Sequence, residues 1–374
     1  MTSLIPEARI WTEVDPAAIR HNAEFALRLT GETSGLMAVV KANAYGHGVA
    51  CAVDALRDRA ALFAVSNVEE AIAVRELTPE KDIALLSPCL PAERRECVER
   101  GFVATVSSAD EARAFAELAS ADRPARVQLK VDTGMGRIGV WKDEALREIE
   151  EIARTSRLVL HSAATHLPCA DEDDDFTRTQ LAEFAEFSTA ARRLAPGLKV
   201  HALNSAGVCG YPEFAFDFIR PGLMLYGSTT VGGMQSRLRP ALAWKTRVLL
   251  VRDVPAGRGV SYGRTFITPR PMRIATLAVG YADGYPRQTS GRGACVLIGG
   301  KRCPVLGRVT MDQILVDVSE AGEVQLGDEA VLIGLQGKME ILAGELADWG
   351  GTIAWHIFTG IGGRTKRVVL DEVS

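Results

Sequence analysis

The sequence has no apolar run long enough to cross a bilayer, and its best candidate, Ile274 to Val279, suits a buried strand instead. No membrane association is expected. The opening stretch MTSLIPEARIWTEVD carries Glu7 and Glu13 and has no apolar h-region, so it does not read as a secretory signal. The expected location is the cytoplasm. An excess of either charge is also missing: 43 Lys plus Arg stand against 47 Asp plus Glu, a net charge of −4, which offers no polycationic surface for nucleic acid or anionic lipid. A small molecule is the default partner. The seven cysteines (51, 89, 97, 169, 209, 295 and 303) are odd in number, scattered and without a C-x-x-C pair, which reads as reduced, mostly buried thiols. Metal-ligand spacing of the H-x-x-x-H kind is absent, and Asp132, Asp312, His47 and His166 form no comparable pattern, so no metal is expected. Internal repeats, long linkers and low-complexity tracts are missing as well.

What is present is a two-part rhythm. At 374 residues the chain exceeds one core, and roughly 150 residues per domain gives about two. Short β-branched runs alternate with longer amphipathic stretches: Leu36 to Val40, Ala61 to Val65, Ile83 to Leu86, Val103 to Val106, Val127 to Val131, Leu158 to His161, Val200 to Leu203 and Phe216 to Ile219. Helical patterns lie between them, as at Asn67 to Leu77, Pro91 to Arg100, Ser108 to Leu118, Lys142 to Arg154 and Phe176 to Leu194, with Asn67 and Ser108 placed as N-caps. The acidic run Asp171 to Asp175 caps the last of these. Eight strand–helix units predict an α/β fold, a (β/α)8 TIM barrel, over residues 1–236. The first ten or so residues are expected to pack with the C-terminal domain. After about Gly232 the segments become β-rich: Trp244 to Val251, Arg273 to Val279, Ala294 to Ile298, Ile314 to Val318 and Ala330 to Ile333. Residues 237–374 are therefore expected to form a mostly β C-terminal domain.

In such a barrel the loops at the C-terminal ends of the strands build the site. Unusual polar residues sit there: Lys41 at the end of the first strand, Arg137 after the fifth, His166 after the sixth, Asn204-Ser205 after the seventh and Arg220-Pro221-Gly222 after the eighth. A lysine leaving an apolar strand is costly to desolvate, and burial lowers its pKa, as an amine nucleophile for an aldehyde requires. From position alone, snorkelling to the rim is an equal alternative. Ser205 and the Pro221-Gly222-Leu223 backbone occupy the loops where these barrels recurrently hold phosphate, although Ser205 also suits a helix N-cap.

A wider set of motifs runs in order through both parts: VVKANAYGHG at 39–48, KVDTGMGRIG at 130–139, TH at 165–166, HALNSAG at 201–207, RPGLMLYG at 220–227, SYGRTF at 261–266, VGYADGYPR at 279–287 and GRVTMDQILVDV at 307–318. Together they resemble the fold-type III alanine racemases, from Trp11 to near the C-terminus. The resemblance implies pyridoxal 5′-phosphate as cofactor, held as a Schiff base by Lys41, with Tyr45, Ser205, Gly222 and Leu223 around its phosphate. His166 and Asn204 fall in the same cofactor pocket. It further implies that Arg220 faces the pyridine nitrogen. A guanidinium does not give up its proton in the protein range, so the ring nitrogen stays an acceptor and the ring a weaker electron sink.

Racemisation needs a proton to leave one face of the α-carbon and another to arrive on the opposite face, so two acid–base groups flank the substrate. By resemblance Lys41 serves the D-enantiomer and Tyr262 the L-enantiomer of alanine, in a reaction that supplies D-alanine for peptidoglycan. A phenol titrates near 10 in isolation, so Tyr262 needs positive neighbours, which His166 and Arg220 could supply. In the resembling enzymes the tyrosine reaches the site of the other subunit, which implies a head-to-tail homodimer with shared active sites. Arg137, the Met311 amide and Asp312 are placed at the substrate carboxylate, Lys130 at a position often carbamylated, and Tyr281 and Arg308 along the entry path.

One departure stands out. Where the family usually has Tyr-Glu near the C-terminus, this chain has Trp355-His356. Indole has one N–H donor and no acceptor, so it keeps a phosphate contact only in one orientation, or it narrows the pocket around a methyl side chain. Other activities on the same plan are a serine or broad-specificity racemase and a basic amino-acid decarboxylase; Arg220 argues against the last, which needs an acidic partner at the ring nitrogen. A non-catalytic carrier would lack the β domain and with it Tyr262.

Overall fold

The computed structural model describes residues 8–371, and within them the chain divides into two compact units. Ile19–Ala44 and Val49–Arg239 form one, and the described residues outside those ranges form the other. Of the opening residues expected to pack with the C-terminal domain, 1–7 lie outside the described residues. Those from Ile10 onward belong to the second unit, because Ile10–Val14 is a strand of its sheet.

The first unit is the parallel barrel. Its strands run Gly35–Val39, Ala60–Val65, Asp82–Pro88, Val103–Val106, Ala125–Asp132, Leu158–Ala164, Lys199–His201 and Phe218–Ile219, and each pairs in parallel with its neighbour from the eighth through the first to the seventh. Between the seventh and eighth strands, backbone bonds from Asp217 N to Val200 O (3.1 Å) and from Arg220 N to Leu203 O (2.9 Å) bring the ring nearly to closure. All eight strands fall where the β-branched runs placed them. Helix starts follow from local chemistry: Asn67 accepts from the Glu70 amide ahead of Val68–Leu77, Ser108 from the Glu111 amide ahead of Ala109–Ala116, and Asp173 from the Phe176 amide ahead of Asp174–Leu194. The expected helix from Pro91 is split into a 3-10 turn, Pro91–Glu93, and the helix Arg94–Glu99.

Alternation along the fifth strand sorts its side chains. Val127, Leu129 and Val131 lie on one face and Gln128, Lys130 and Asp132 on the other, all of them buried. Gln128 and Asp132 are tolerable there because they are bonded. Gln128 Nε2 donates to Leu85 O (2.8 Å) and Thr105 Oγ1 (2.9 Å), and its Oε1 meets His201 Nε2 at 3.1 Å. Residues from four strands are thus tied across the barrel interior.

The second unit is built on antiparallel strands. Leu242–Val254, Met272–Leu277, Ile314–Asp317, Lys301–Leu306, Cys295–Ile298 and Glu329–Gln336 pair in that order, and Glu329–Gln336 pairs back onto Leu242–Val254, closing a ring of six. Ile10–Val14 adds antiparallel to Leu242–Val254, and Lys366–Val369 adds parallel to Ile10–Val14. Leu297, Val331 and Ile341 pack together, as do Val260, Met272, Ile274 and Leu306. Each such side chain contributes roughly 1.5–3 kcal/mol by leaving water. Two late helices, Ala343–Gly350 and Ala354–Gly360, break the β pattern. Among the described residues no helix is long and apolar enough to cross a membrane.

Candidate active site

Five barrel strands deliver polar side chains to one set of loops. Lys41 lies two residues past the first strand, Arg137 follows the fifth, His166 the sixth, Asn204 and Ser205 the seventh, and Arg220 the eighth. Beyond Lys41 the backbone turns left-handed: Ala42, Asn43, Ala44 and Tyr45 have φ of 51° to 54°. For residues with a Cβ this costs roughly 1–2 kcal/mol each. Bonds hold the turn in place. The Ala42 amide donates to Glu70 Oε1 (2.7 Å), the Ala44 amide to Val40 O (2.9 Å), and Asn43 Oδ1 accepts from the Val49 amide (2.8 Å).

The Lys41 amine is held below the usual lysine range, first by burial, then by Arg137 and Arg220, while Glu70 pulls the other way. Its surroundings are cationic. Arg220 is buried at 5% exposure and uses its planar fork on fixed acceptors: Nη1 on His201 Nδ1 (2.6 Å), and Nη2 on Thr165 O (2.8 Å) and Ala202 O (2.9 Å), with His166 Nδ1 at 3.4 Å. Burial and Arg137 push the guanidinium down to about 10, which leaves it charged at neutral pH. A group this buried is not part of a surface ion pair. His166 is pushed well below the ordinary histidine range, chiefly by burial and then by Arg220, so at neutral pH it carries no charge.

Lys130 is driven well below the lysine range by burial, then by Arg220 and Arg137, against Asp132. Gly139, at φ 114°, makes room for it, since a Cβ there would lie 2.8 Å from Lys130 O and 2.9 Å from its Cγ. Asp132 shapes the loop before Arg137: Oδ1 takes the amides of Gly134 and Met135, both at 2.9 Å, and Oδ2 that of Arg137 at 3.2 Å. Burial raises its pKa, and these amides outweigh burial and hold it low.

The phosphate-type corner is assembled by Ser205 and the backbone of 222–224. Asn204, not Ser205, is the N-cap, accepting from the Gly207 amide (2.9 Å) while its Nδ2 donates to Leu167 O (3.1 Å). That frees the Ser205 hydroxyl to accept from the amides of Gly222 (2.9 Å) and Met224 (3.2 Å), with Leu223 between them. Donors converge here.

The second unit carries its own group. Tyr262, 70% exposed, opens a 3-10 turn after Ser261 (φ 62°), whose hydroxyl donates to Arg308 O at 2.5 Å. The next residue, Gly263, lies against the Arg308 guanidinium, where a Cβ would sit 3.0 Å from Nη1. Tyr281 N donates to Thr310 O and Ala282 N to Met311 O, both at 3.0 Å, which ties Tyr281 beside Met311 and Asp312. Gly280 permits this approach, because a Cβ would fall 2.3 Å from Met311 O. Asp312 pairs with Arg364 at 2.9 Å. Tyr262, Tyr281 and Met311 are all exposed large side chains, and Trp355 lies half-buried in Ala354–Gly360. Tyr45, whose phenol burial pushes up, also groups with this unit. The barrel therefore brings together Lys41, Lys130, Arg137, His166, Asn204, Ser205, Arg220, Gly222 and Leu223, whereas Tyr45, Tyr262, Tyr281, Arg308, Met311, Asp312 and Trp355 stand on the other unit. Sequence reasoning did not single out Glu70, Gln128 or His201. The only available signals were the Asn67-x-x-Glu70 capping pattern and polar residues inside apolar strands.

With this geometry in view, family models decide the assignment: "Alanine racemase, N-terminal domain" matches residues 14–230 and "Alanine racemase, C-terminal domain" residues 241–369. The chain belongs to the alanine racemase family. It is 43% identical to an alanine racemase of Symbiobacterium thermophilum, with 97% of this chain and 98% of that protein covered. Among solved structures it is similar to the biosynthetic alanine racemase of Pseudomonas aeruginosa, with a TM-score of 0.88, 33% identity and coverage of 97% of this chain and 100% of that one. The alanine racemase of Bacillus anthracis, solved with bound L-Ala-P, gives a TM-score of 0.87 at 32% identity, covering 98% and 96%. The similarity spans both units, so the chain is an amino-acid racemase of this barrel-plus-β plan and not a barrel-only carrier.

Proposed function

We propose that this racemase interconverts L- and D-alanine with pyridoxal 5′-phosphate held covalently at Lys41, and that Lys41 and Tyr262 move the protons. The observation that carries the reading is the Lys41 amine, lowered in pKa by burial and by Arg137 and Arg220, at the mouth of the same barrel that holds the Ser205–Gly222 corner. The donor set fits the cofactor. An amine whose pKa burial lowers suits an aldehyde, converging hydroxyl and amides suit a phosphate dianion, and a fixed guanidinium suits a ring nitrogen that accepts. When bound, pyridoxal phosphate supplies an electron sink for charge left on the substrate α-carbon. Tyr45, His166, Asn204 and Leu223 complete the residues assigned to hold it.

The remaining chemistry belongs to side chains. Lys41 Nζ takes or returns the α-proton on the face used by D-alanine, and the Tyr262 hydroxyl does so on the face used by L-alanine. Exposure of Tyr262, Tyr281 and Met311 supports a head-to-tail homodimer in which these residues, with Arg308, line the partner's barrel mouth. His166 is neutral and adds no positive charge to the site, whereas Arg220 stays charged. Arg137, the Met311 amide and Asp312 orient the substrate carboxylate. Burial lowers the Lys130 pKa and so favours the free amine that carbamylation requires, and the carbamate would align Arg137. The D-alanine produced feeds peptidoglycan synthesis in the cytoplasm.

The test is α-proton exchange in deuterated water across an amino-acid panel, with Lys41→Ala and Tyr262→Phe beside the parent enzyme. Both enantiomers of alanine should exchange in the parent, neither in Lys41→Ala, and only one in Tyr262→Phe. Unchanged exchange of both in Tyr262→Phe removes Tyr262 from the reaction.

A further inference from the structure

Two helices of the barrel start with the same device. Before Val68–Leu77, Asn67 Oδ1 accepts from the Glu70 amide (2.9 Å) and Glu70 Oε2 accepts from the Ser66 amide (2.8 Å). Before Ala109–Ala116, Ser108 Oγ accepts from the Glu111 amide (3.2 Å) and Glu111 Oε2 accepts from the Ser107 amide (2.7 Å). One oxygen of each glutamate reaches back to the amide just ahead of the N-cap residue. The helices differ in the other oxygen. Among the described residues, only at Glu70 does it also take an amide from a different barrel strand's loop, that of Ala42 at 2.7 Å. Capping does not require this third bond, as the second helix shows.

Ala42 follows Lys41 directly and opens the left-handed turn, where its amide has no carbonyl four residues back in ordinary helical register. An acceptor from outside must meet it. Lys41 is faced by the cations Arg137 and Arg220 and by the neutral His166, and Glu70 is the anionic group that opposes them. We propose that Glu70 is a positioning residue for Lys41: by fixing the Ala42 amide it sets the direction in which the lysine side chain leaves its strand. The claim rests on the reading that Lys41 carries the cofactor. In that step the neutral Lys41 amine adds to the aldehyde carbon of pyridoxal phosphate and water leaves; borohydride then delivers hydride to the carbon–nitrogen double bond and fixes the label.

The experiment measures borohydride-trapped label on the apoenzyme against pH, for the parent, Glu70→Gln, Glu70→Asp, Glu111→Gln and Lys41→Ala, alongside thermal melts. At high pH every Lys41 amine is free, so the plateau rate reports placement, while the pH midpoint reports charge. Glu111→Gln should lose melting temperature yet trap like the parent. Glu70→Gln should lower the plateau about tenfold and move the midpoint acid by roughly one pH unit. Glu70→Asp, which keeps the charge and loses the reach, should lower the plateau with the midpoint unmoved. If Glu70→Gln matches Glu111→Gln in plateau and midpoint, the positioning claim is wrong and Lys41 keeps its assignment. If Lys41→Ala traps label as the parent does, the reading of Lys41 fails and the claim falls with it.

Discussion

His201 Nδ1 accepts a hydrogen bond from Arg220 Nη1 at 2.6 Å, and this one contact decides which ring nitrogen carries the histidine's proton. A guanidinium only donates, so Nδ1 must be bare and Nε2 must hold the hydrogen, which it gives to Gln128 Oε1 at 3.1 Å. Gln128 is fixed in turn by Leu85 O and Thr105. One of the contacts that orient Arg220 is therefore held from the far side of the barrel, beside those to Thr165 O and Ala202 O.

Gln128→Leu should expose the value of that chain. It leaves the His201 Nε2–H buried without its acceptor, while the Leu85 carbonyl keeps the Thr105 hydroxyl at 2.6 Å, at a cost of about 1–3 kcal/mol. Denaturant melts should show that loss, and racemase kcat should fall in both directions because Arg220 is no longer held. A variant with parental stability and parental kcat would show that Arg220 is fixed by Thr165 O and Ala202 O alone.

His201 and His166 should also make the fold acid-sensitive above the range where carboxylates titrate. Burial, then Arg220 and Lys130, hold both well below the ordinary value near 6.5, so the native state stays unprotonated while the unfolded chain binds protons below about 6.5. A depressed pKa contributes stability that is fully present above the unfolded value and is lost as pH falls toward the folded one. With His161, which burial also lowers, there are three such groups, so the free energy of unfolding should drop by up to about 4 kcal/mol per pH unit between about pH 6 and 5, and His201→Gln should remove about a third of that slope. Denaturant melts of the apoenzyme at a series of pH values measure it. A flat profile down to pH 5 would mean that these histidines are charged in the fold.

Gly139→Ala should be costly out of proportion to one methyl. At φ 114° an alanine is strained, and its Cβ would stand 2.8 Å from Lys130 O, which is backbone and cannot rotate away. Destabilisation of about 2 kcal/mol or more is expected. Lys130 should shift with it, so substrate KM should rise as well if Lys130 aligns Arg137. Loss of stability with KM unchanged would separate Lys130 from substrate binding.

The eight barrel strands could be read from sequence because β-branched runs bounded by turn signals are local, and Lys41, Arg137, His166, Asn204 and Arg220 followed because strand ends fix where loops begin. Ile10–Val14 was not legible as a strand, since its partners Leu242–Val254 and Lys366–Val369 lie more than 200 residues away and no local pattern announces such pairing. The left-handed turn after Lys41 was hidden for a different reason. Ala-Asn-Ala has no glycine to signal positive φ, and the conformation exists only because Glu70, Val40 and Val49 supply its partners. Glu70 has the spacing of an ordinary helix-start glutamate, and nothing in that spacing discloses the second oxygen's bond.

Trp355 offers the sharpest test of substrate choice. It is half-buried on the helix Ala354–Gly360, its carbonyl accepting from Thr359 Oγ1 at 2.7 Å, so the ring sits on a fixed backbone. Indole excludes volume but provides only one donor. If it narrows the pocket around a methyl side chain, Trp355→Ala should admit serine and larger amino acids and shrink the alanine preference by about 1–3 kcal/mol, a factor of roughly 10 to 200 in relative kcat/KM. Trp355→Tyr should keep most of the exclusion, because the ring remains. Racemisation rates on alanine and serine with each variant decide it. Equal preference in the parent and in Trp355→Ala would mean that another side chain sets the pocket, and that the departure from tyrosine at this position has no bearing on specificity.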